Sequence, residues 1–278
     1  MGKSIMITSF KGGVGKSTVA VNLSVGLAVK NQKVLIVDLD ASSGSVDLFM
    51  GCENGTLYNF CDVAEKNVSI QDAVYTKKTP TYSIDILKSP PLYDIYISPP
   101  GKLTAGNALN QFLEDVKNLY DFVIFDCPSG KFSLFEDLSK KIDSLFVVTL
   151  HSSVSIRSAE KLAVALSENG SKGENVRIII NCFNPKGVAK GLNMGIVDII
   201  ERSKMKLIGL IASNYQIRDL QESGKTVYDV KNKKLKDAQD SFNDIIGRIL
   251  ENNIVLNKKY GGYKTNSLYF KKTAKEDN

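Results

Sequence analysis

The stretch FKGGVGKST, residues 10–18, constrains this chain more than any other, because it places a glycine-rich turn between a strand-like and a helix-like segment. A short apolar run at residues 5–8 comes before the turn, and apolar residues at helical spacing follow it over residues 17–30. In such a turn consecutive backbone N–H groups can point inward, and the start of the helix contributes its positive end. The stretch therefore predicts a phosphate-binding loop in an α/β fold.

The side chains that follow the glycines are those that bind the phosphates of a nucleotide together with magnesium. We expect Lys16 to reach the terminal phosphates, the Ser17 hydroxyl to complete a Mg²⁺ shell, and Thr18 to contact an inner phosphate. The backbone N–H groups around the phosphates would come from Gly12, Gly13, Val14 and Gly15. The sequence therefore predicts a nucleotide and Mg²⁺ as the ligands of this loop.

Strand-like and helix-like runs alternate along the rest of the chain. Further strands are predicted at residues 33–38, 83–87, 122–125, 145–149, 177–180 and 207–211. Helices are predicted at residues 57–64, 69–75, 108–119, 158–167 and 235–252. Continuous β-branched runs such as residues 33–38 are typical of parallel strands that are buried on both faces. The alternation predicts an α/β fold with a mostly parallel sheet wrapped by helices on both faces.

The last predicted helix closes one domain, residues 1–252, and we expect residues 253–278 to form a flexible basic tail. The net charge is +6, and residues 225–278 hold +5 of it, from twelve Lys or Arg and seven Asp or Glu. A basic segment of this kind suits an anionic partner, either a lipid surface or nucleic acid. A solvated helix face with a frayed end explains the same charge without a partner. No apolar run approaches the roughly 20 residues that a membrane-spanning helix needs.

The glycine loop departs from the ordinary P-loop pattern at one position, since Phe10 stands where the first glycine belongs. The pattern K-G-G-x-G-K-[ST] at residues 11–17 resembles the deviant Walker A motif of the MinD and ParA family of ATPases. The resemblance implies ATP as the nucleotide. It also implies that Lys16 serves the ATP of its own subunit, while Lys11 reaches the ATP of a second subunit across a nucleotide-sandwich dimer. A cation that arrives only on dimerisation would stabilise the charge that develops in phosphoryl transfer.

Two motifs at strand ends agree with this resemblance. VLIVDLDASSGSVDLFMG, residues 34–51, resembles the family's switch I, which implies that Asp40 orients the attacking water and that Asp38 supports Mg²⁺ through a water. DFVIFDCPSG, residues 121–130, ends a strand in Asp126, which resembles the Walker B carboxylate of the Mg²⁺ shell. Ligands of open α/β sheets bind at this carboxyl edge of the strands. The implied catalytic residues are Lys11, Lys16 and Asp40, and the implied metal-binding residues are Ser17, Asp38 and Asp126.

The adenine contacts are less strongly specified than the phosphate contacts. In IIINCFNP, residues 178–185, Asn181 matches an asparagine with which family members read the adenine edge, and its paired donor and acceptor suit that role. Asn184 is a rival for this role, and both asparagines could simply cap turns. Residues 207–230 resemble the family segment that closes over the base, but the usual proline after the strand is absent.

The resemblance implies a MinD-like regulatory ATPase that dimerises on ATP binding and hydrolyses ATP to return from a surface-bound dimer to a free monomer. Such a protein acts in spatial regulation, at the cell division site or in similar positioning. The implied partners are a second copy of the chain, a protein that activates hydrolysis, and an anionic membrane surface. The implied location is the cytoplasm, with peripheral attachment at the inner face of the cell membrane.

Other functions remain open within the same family. A ParA-type DNA or plasmid partition ATPase would use the same dimer to bind nonspecific DNA, and a flagellar-number regulator shares the helices after switch I. Nitrogenase reductase and iron–sulfur scaffold relatives need cysteines at positions that this chain leaves empty, which argues against electron transfer or metal delivery. In the tail, SLYFKKTAK at residues 267–275 combines apolar and basic residues, so we expect nucleotide-dependent binding to anionic vesicles that requires residues 258–278.

Overall fold

An eight-stranded sheet forms the centre of the part of the chain that the computed structural model describes, residues 1–90, 106–130, 135–168, 170–171 and 173–256. The strands are β1 Lys3–Thr8, β2 Val34–Asp38, β3 Tyr75–Lys78, β4 Ser83–Leu87, β5 Phe122–Asp126, β6 Ser144–Leu150, β7 Val176–Phe183 and β8 Lys206–Ala212. Across the sheet they lie in the order β3-β4-β2-β5-β1-β6-β7-β8. Neighbouring strands are parallel except for β3 and β4, which confirms the predicted mostly parallel sheet.

Helices cover both faces of this sheet. Within the described residues they are α1 Lys16–Val29, α2 Val46–Met50, α3 Phe60–Ala64, α4 Ile70–Ala73, α5 Gly106–Leu119, α6 Glu136–Lys141, α7 Ser153–Glu168, α8 Pro185–Ala189, α9 Ile196–Ser203, α10 Gln216–Gln221 and α11 Lys236–Ile249. The apolar side chains of α1 and α11 belong to one buried cluster, and those of α5, α7 and α9 belong to a second. The predicted α/β fold with helices on both faces is therefore confirmed.

The strand that precedes the glycine loop lies in the middle of the sheet. β1 pairs with β5 on one side and with β6 on the other. Met6 packs with the cluster of α5 and α7, whereas Ile5 and Ile7 pack with that of α1 and α11, because successive side chains of a strand point to opposite faces. In register, Asp126 is the partner of both Ile7 and Asp38. The carboxyl ends of β1, β2 and β5 therefore meet at one place.

Several predicted helices are shorter than their patterns indicate: the one expected over residues 57–64 begins at Phe60, and the one expected over residues 235–252 ends at Ile249. The helix expected over residues 69–75 ends at Ala73, and Tyr75 begins the edge strand β3, which pairs antiparallel with β4. A tight turn joins the two strands, with the Thr79 N–H donating to the carbonyl of Tyr82 at 2.9 Å. Side chains of β3 alternate between half-buried and exposed, and this alternation is too short in the sequence to be told from a helix end.

The C-terminal boundary can be followed only as far as residue 256. Leu256, four residues beyond the predicted end of the domain, is buried in the cluster that contains α5 and α7. Residues 257–278, which include the segment to which the vesicle-binding prediction refers, lie outside the described residues. Among the described helices, none combines the length and the apolar character that crossing a membrane requires.

Candidate nucleotide site

The glycine-rich loop between β1 and α1 has a backbone conformation that its glycines permit. Gly13 and Gly15 have φ values of 74° and 89°, in the left-handed region that other residues rarely adopt. A Cβ atom at Gly15 would lie 2.3 Å from Nδ2 of Asn181, whereas one at Gly13 would meet nothing within 4 Å. Val14 is 2% exposed and anchors the loop in the core. The loop is thus anchored in the core through Val14 and packed against Asn181 at Gly15, while the space next to Gly13 is free.

The two lysines of the loop lie in different environments. The side chain of Lys16 is 8% exposed, and its Nζ lies 3.8 Å from Oδ2 of Asp40. Lys11 is exposed, and its carbonyl oxygen accepts a hydrogen bond of 2.8 Å from the Ser9 hydroxyl. Lys16 therefore belongs to the buried site, whereas Lys11 is at the surface, where a residue that serves a second subunit has to be.

Asp40 is held by the turn that follows β2. Its Oδ1 accepts hydrogen bonds from the N–H and from the hydroxyl of Ser42, and its carbonyl oxygen accepts from the N–H groups of Ser43 and Gly44. Its Oδ2 faces Lys16, and the residue is 4% exposed. This carboxylate is oriented by its own turn and paired with the lysine expected to bind phosphate.

Asp38 has a structural task in addition to its predicted one. Its Oδ1 accepts the N–H of Asp40 at 2.8 Å, and its Oδ2 accepts the N–H of Val46, at the start of α2, at 3.1 Å. Burial and the neighbouring Asp126 raise the pKa of Asp38 well above its ordinary value, while the two N–H donors lower it. Asp38 therefore fixes the geometry of the whole segment between β2 and α2. Its predicted support of Mg²⁺ stays a prediction.

Asp126 is the carboxylate that fits a metal ion best. It is fully buried, and within the described residues neither of its oxygens has a hydrogen bond of standard geometry. Burial raises its pKa to about 6, against the lowering effect of Lys16 and of the nearby Ser17 hydroxyl. Carboxylate and hydroxyl oxygens are the ligands that Mg²⁺ prefers, and it commonly uses one or two carboxylates together with substrate phosphates. The residues present fit Mg²⁺.

Cys127, which follows Asp126, does not have the properties of a reactive thiol. Its side chain is completely buried, and burial together with the charge of Asp126 raises the pKa of the thiol well above its ordinary value. A neutral, inaccessible thiol is neither a good nucleophile nor a metal ligand. The residue therefore belongs to the core beneath the site.

The structure separates the two asparagines that compete for the adenine edge. Asn184 caps α8, since its Oδ1 accepts the N–H groups of Lys186 and Gly187. Asn181 is 6% exposed, and its Nδ2 donates to the carbonyl of Val14 at 2.8 Å while its Oδ1 accepts the N–H of Cys182 at 2.9 Å. Asn181 therefore braces the phosphate loop from the end of β7. An adenine contact of Asn181 remains a prediction.

The segment after β8 contributes contacts that the sequence did not indicate. Asn214 donates its Nδ2 to the carbonyl of Lys234, and Tyr215 is 76% exposed. Gln221, at the end of α10, donates its Nε2 to the Thr18 hydroxyl oxygen at 2.9 Å. No local pattern marks Gln221, because its partner is 203 positions away.

Comparison with known proteins agrees with this geometry. The family model described as AAA domain matches residues 2–180. The septum site-determining protein MinD of Helicobacter pylori is 31% identical over 252 residues, covering 89% of this chain and 91% of that protein. A chain of the MinC:MinD cell division protein complex of Aquifex aeolicus has a TM-score of 0.79 and 27% identity, covering 92% of this chain and 98% of that chain. The MinD of Pyrococcus horikoshii complexed with Mg-ADP shares the fold, with a TM-score of 0.72, 23% identity, and coverage of 90% and 96%.

Proposed function

This chain belongs to the MinD/ParA family of P-loop ATPases, and from that membership we propose that it is a MinD-like positioning ATPase that alternates between an ATP-bound dimer and a free monomer. Its relatives are named for septum-site determination and cell division, which supports a role in placing the division site or in similar positioning. The reaction proposed is the attack of water on the terminal phosphate of ATP, with ADP and phosphate as products.

The observation that carries this proposal is the charge balance of the buried site. Three buried carboxylates, those of Asp38, Asp40 and Asp126, lie at two adjacent strand ends, and Lys16 is the buried lysine beside them. Of the three, Asp126 has no hydrogen bond of standard geometry within the described residues, and a buried charge without a partner is costly. The site therefore favours a ligand that brings a cation to Asp126 and phosphates to Lys16. A magnesium nucleotide has both parts.

Each residue has a distinct task in the proposed reaction. When ATP binds, Lys16 leaves its ion pair with Asp40 and pairs with the phosphates instead. Asp40 is then available to orient the attacking water. Ser17 and Asp126 would hold Mg²⁺, which when bound neutralises part of the phosphate charge. The N–H groups of the glycine loop stabilise the same charge without any movement of the backbone.

Partners follow from the same proposal. Lys11 is exposed and would complete the site of a second copy of the chain, so dimerisation would couple to ATP. One of the structurally similar chains comes from a MinC:MinD complex, which supports a protein partner for this chain. We propose an activator of hydrolysis as a further partner. The ATP-bound dimer would bind an anionic membrane surface from the cytoplasm, or nonspecific DNA in a ParA-type alternative.

Phosphate release in the presence of Mg²⁺ tests the chemistry. We expect the wild-type protein to hydrolyse ATP and the Asp40→Ala variant to bind ATP but lose turnover, because that change removes the group that orients water and leaves Lys16 available to the phosphates. Turnover of Asp40→Ala at the wild-type rate would contradict the role of Asp40. Light scattering then tests Lys11: Asp40→Ala should dimerise with ATP, whereas the Lys11→Ala, Asp40→Ala double variant should not.

Co-sedimentation decides which surface the protein binds. ATP-bound protein should sediment with anionic vesicles, and deletion of residues 258–278 should abolish this, since each basic residue near such a surface contributes about 1 kcal/mol. Two tails in one dimer would bind more tightly than one through effective concentration. Binding to duplex DNA that survives the deletion, with no vesicle binding by the full chain, would favour the partition alternative.

A further inference from the structure

The Thr18 hydroxyl, expected to contact an inner phosphate, is held by a residue far along the chain. Nε2 of Gln221 donates to Oγ1 of Thr18 at 2.9 Å, and Gln221 is 7% exposed. A threonine in a helix commonly donates its hydroxyl hydrogen to the carbonyl four residues earlier, which here is that of Val14. That carbonyl instead accepts from Nδ2 of Asn181. Among the described residues, the Thr18 hydroxyl makes no hydrogen bond other than the one with Gln221.

The direction of this hydrogen bond determines what the hydroxyl can do. An amide NH₂ group can only donate, whereas a threonine hydroxyl has one hydrogen to donate and two lone pairs to accept with. Because Oγ1 of Thr18 accepts from Gln221, its hydrogen remains available for another acceptor. A phosphate oxygen is such an acceptor, and a hydrogen bond to a charged oxygen is stronger than one between neutral groups.

The backbone that follows Gln221 is anchored at two points, Val227 and Gly224, and this restricts where the Gln221 side chain can lie. Asn22 donates its Nδ2 to the carbonyl of Thr18 at 2.8 Å and accepts the N–H of Val227 at 3.0 Å. Asn22 is 1% exposed and thus ties the segment after α10 to the start of α1. At the second point, a Cβ atom at Gly224 would lie 2.6 Å from Cα of Gly51, so the backbone at Gly224 is in direct contact with the backbone at Gly51.

We propose that Gln221 is a positioning residue of the nucleotide site, which turns the Thr18 hydroxyl hydrogen toward an inner phosphate of the bound nucleotide. This inference rests on the proposed ATPase function. Gln221 acts through Thr18 and touches no reacting atom. Its removal therefore weakens nucleotide binding, raising KM, and leaves kcat nearly unchanged.

A double-mutant cycle on Gln221 and Thr18 tests this role, with MgADP binding measured by calorimetry on the full chain. Gln221→Met keeps the size of the side chain and removes the donor, and we expect it to weaken MgADP binding roughly three- to tenfold, the effect of one hydrogen bond. Thr18→Val should weaken it by a similar factor. In the Thr18→Val background, Gln221→Met should have no further effect, because the hydroxyl that it orients is already absent.

Two more variants complete the experiment. Gln221→Glu has nearly the shape of glutamine but can only accept, so the Thr18 hydroxyl would donate to it instead of to phosphate, and we expect a loss of affinity larger than that of Gln221→Met. Glu222→Gln, at the neighbouring exposed position, serves as the matched control and should bind MgADP like the wild type. The unfolding temperature without nucleotide identifies any variant that fails to fold.

The outcomes separate this inference from the function on which it rests. Absence of MgADP binding by the wild-type protein would overturn the proposed ATPase and the inference with it. Wild-type binding combined with additive losses in the cycle, or with unchanged affinity of Gln221→Glu, would overturn the positioning role alone. A fall in kcat at unchanged KM for Gln221→Met would also contradict it.

Discussion

The nucleotide edge of the sheet has two halves that are built on different principles. In the phosphate half, at the ends of β1, β2 and β5, Lys16, Asp40 and Asp126 are buried and charged. In the base half, at the ends of β7 and β8, the corresponding groups are neutral: Asn181 is buried and Tyr215 is largely exposed. The phosphate half is therefore costly to fold without its ligand, whereas in the base half both the donor and the acceptor of the Asn181 side chain are hydrogen-bonded within the protein.

The largest expected effect comes from Lys16→Ala. This change removes the main cation for the phosphates and should weaken MgATP binding roughly 100-fold or more. It also leaves the buried Asp40 without its ion-pair partner and Asp126 without a nearby positive charge, so the free energy of unfolding of the nucleotide-free protein should fall by about 3 kcal/mol. Urea unfolding and calorimetry measure the two effects. Lys11→Ala, at the exposed lysine of the same loop, should change neither the nucleotide affinity nor the stability of the monomer. An equal loss of stability in this variant would contradict the distinction between a buried and an exposed lysine.

Asp126→Asn should have the next largest effect, and it should depend on pH. Burial raises the pKa of Asp126 from an ordinary value of 3.8 to about 6, so the folded state takes up a proton more readily than the unfolded state. The contribution of Asp126 to the stability of the wild type therefore falls as the pH rises from about 4 to about 6 and then stays level. The Asp126→Asn variant does not have this loss, so we expect its free energy of unfolding at pH 7.5 to exceed that of the wild type by about 2 kcal/mol.

Urea unfolding in EDTA without nucleotide, at pH 5 and pH 7.5, measures this prediction. The stability gain from Asp126→Asn should be smaller at pH 5, because Asp126 of the folded wild-type protein is already largely protonated at that pH. Magnesium-dependent turnover should be lost in the same variant. A stability gain independent of pH would mean that the carboxylate is ionised without cost in the folded protein.

Asn181→Ala tests the base half with a neutral change. It removes the brace to the carbonyl of Val14 and the acceptor for the N–H of Cys182, so we expect a loss of about 1–2 kcal/mol of stability. Because no charge is involved, the loss should be the same at pH 5 and pH 7.5. A pH-dependent loss would remove the contrast between the two halves.

Lys77→Met should have the smallest effect, because it acts at a distance from both halves. Nζ of Lys77 donates to the carbonyl of Met50 at 2.6 Å and to that of Gly224 at 3.2 Å, which joins the C-terminal ends of α2 and α10. We expect a loss of about 1 kcal/mol in urea unfolding. The exposed neighbour Lys78, changed to Met, should have no effect, and equal losses in both variants would show that Lys77 contributes only as a surface charge.

The sequence predicted the fold well, and it picked out the residues that the structure brings together in the phosphate half, because the signals for both are local. Lys16 follows directly on the glycine loop. Asp38 and Asp126 end apolar strands, where the register of the parallel sheet pairs them, and Asp40 follows two residues after Asp38. Helices and strands with continuous apolar runs were found for the same reason.

The base half could not be predicted to the same extent, because its contacts join distant parts of the chain. Gln221 meets Thr18 and Val227 meets Asn22 across more than 200 positions, and glutamine and asparagine occur at many sites without any such partner. The edge strand Tyr75–Lys78 was missed because four alternating residues carry too little pattern. The bracing role of Asn181 depends on the close approach of Gly15, which only the folded chain reveals.

The central place of β1 in the sheet also sets the order in which the sheet can assemble while the chain is being synthesised. β1 pairs with β5 from Lys3 with Phe122 onward and with β6 at residues 144–147, so β5 is synthesised about 120 residues and β6 about 140 residues later than β1 itself. At a synthesis rate of about 5–20 residues per second, the first strand waits roughly 6–24 seconds on the ribosome before it can pair. A nascent chain shorter than residue 150 therefore cannot assemble the phosphate loop between its flanking strands, and nucleotide can assist folding only after translation has passed the middle of the chain.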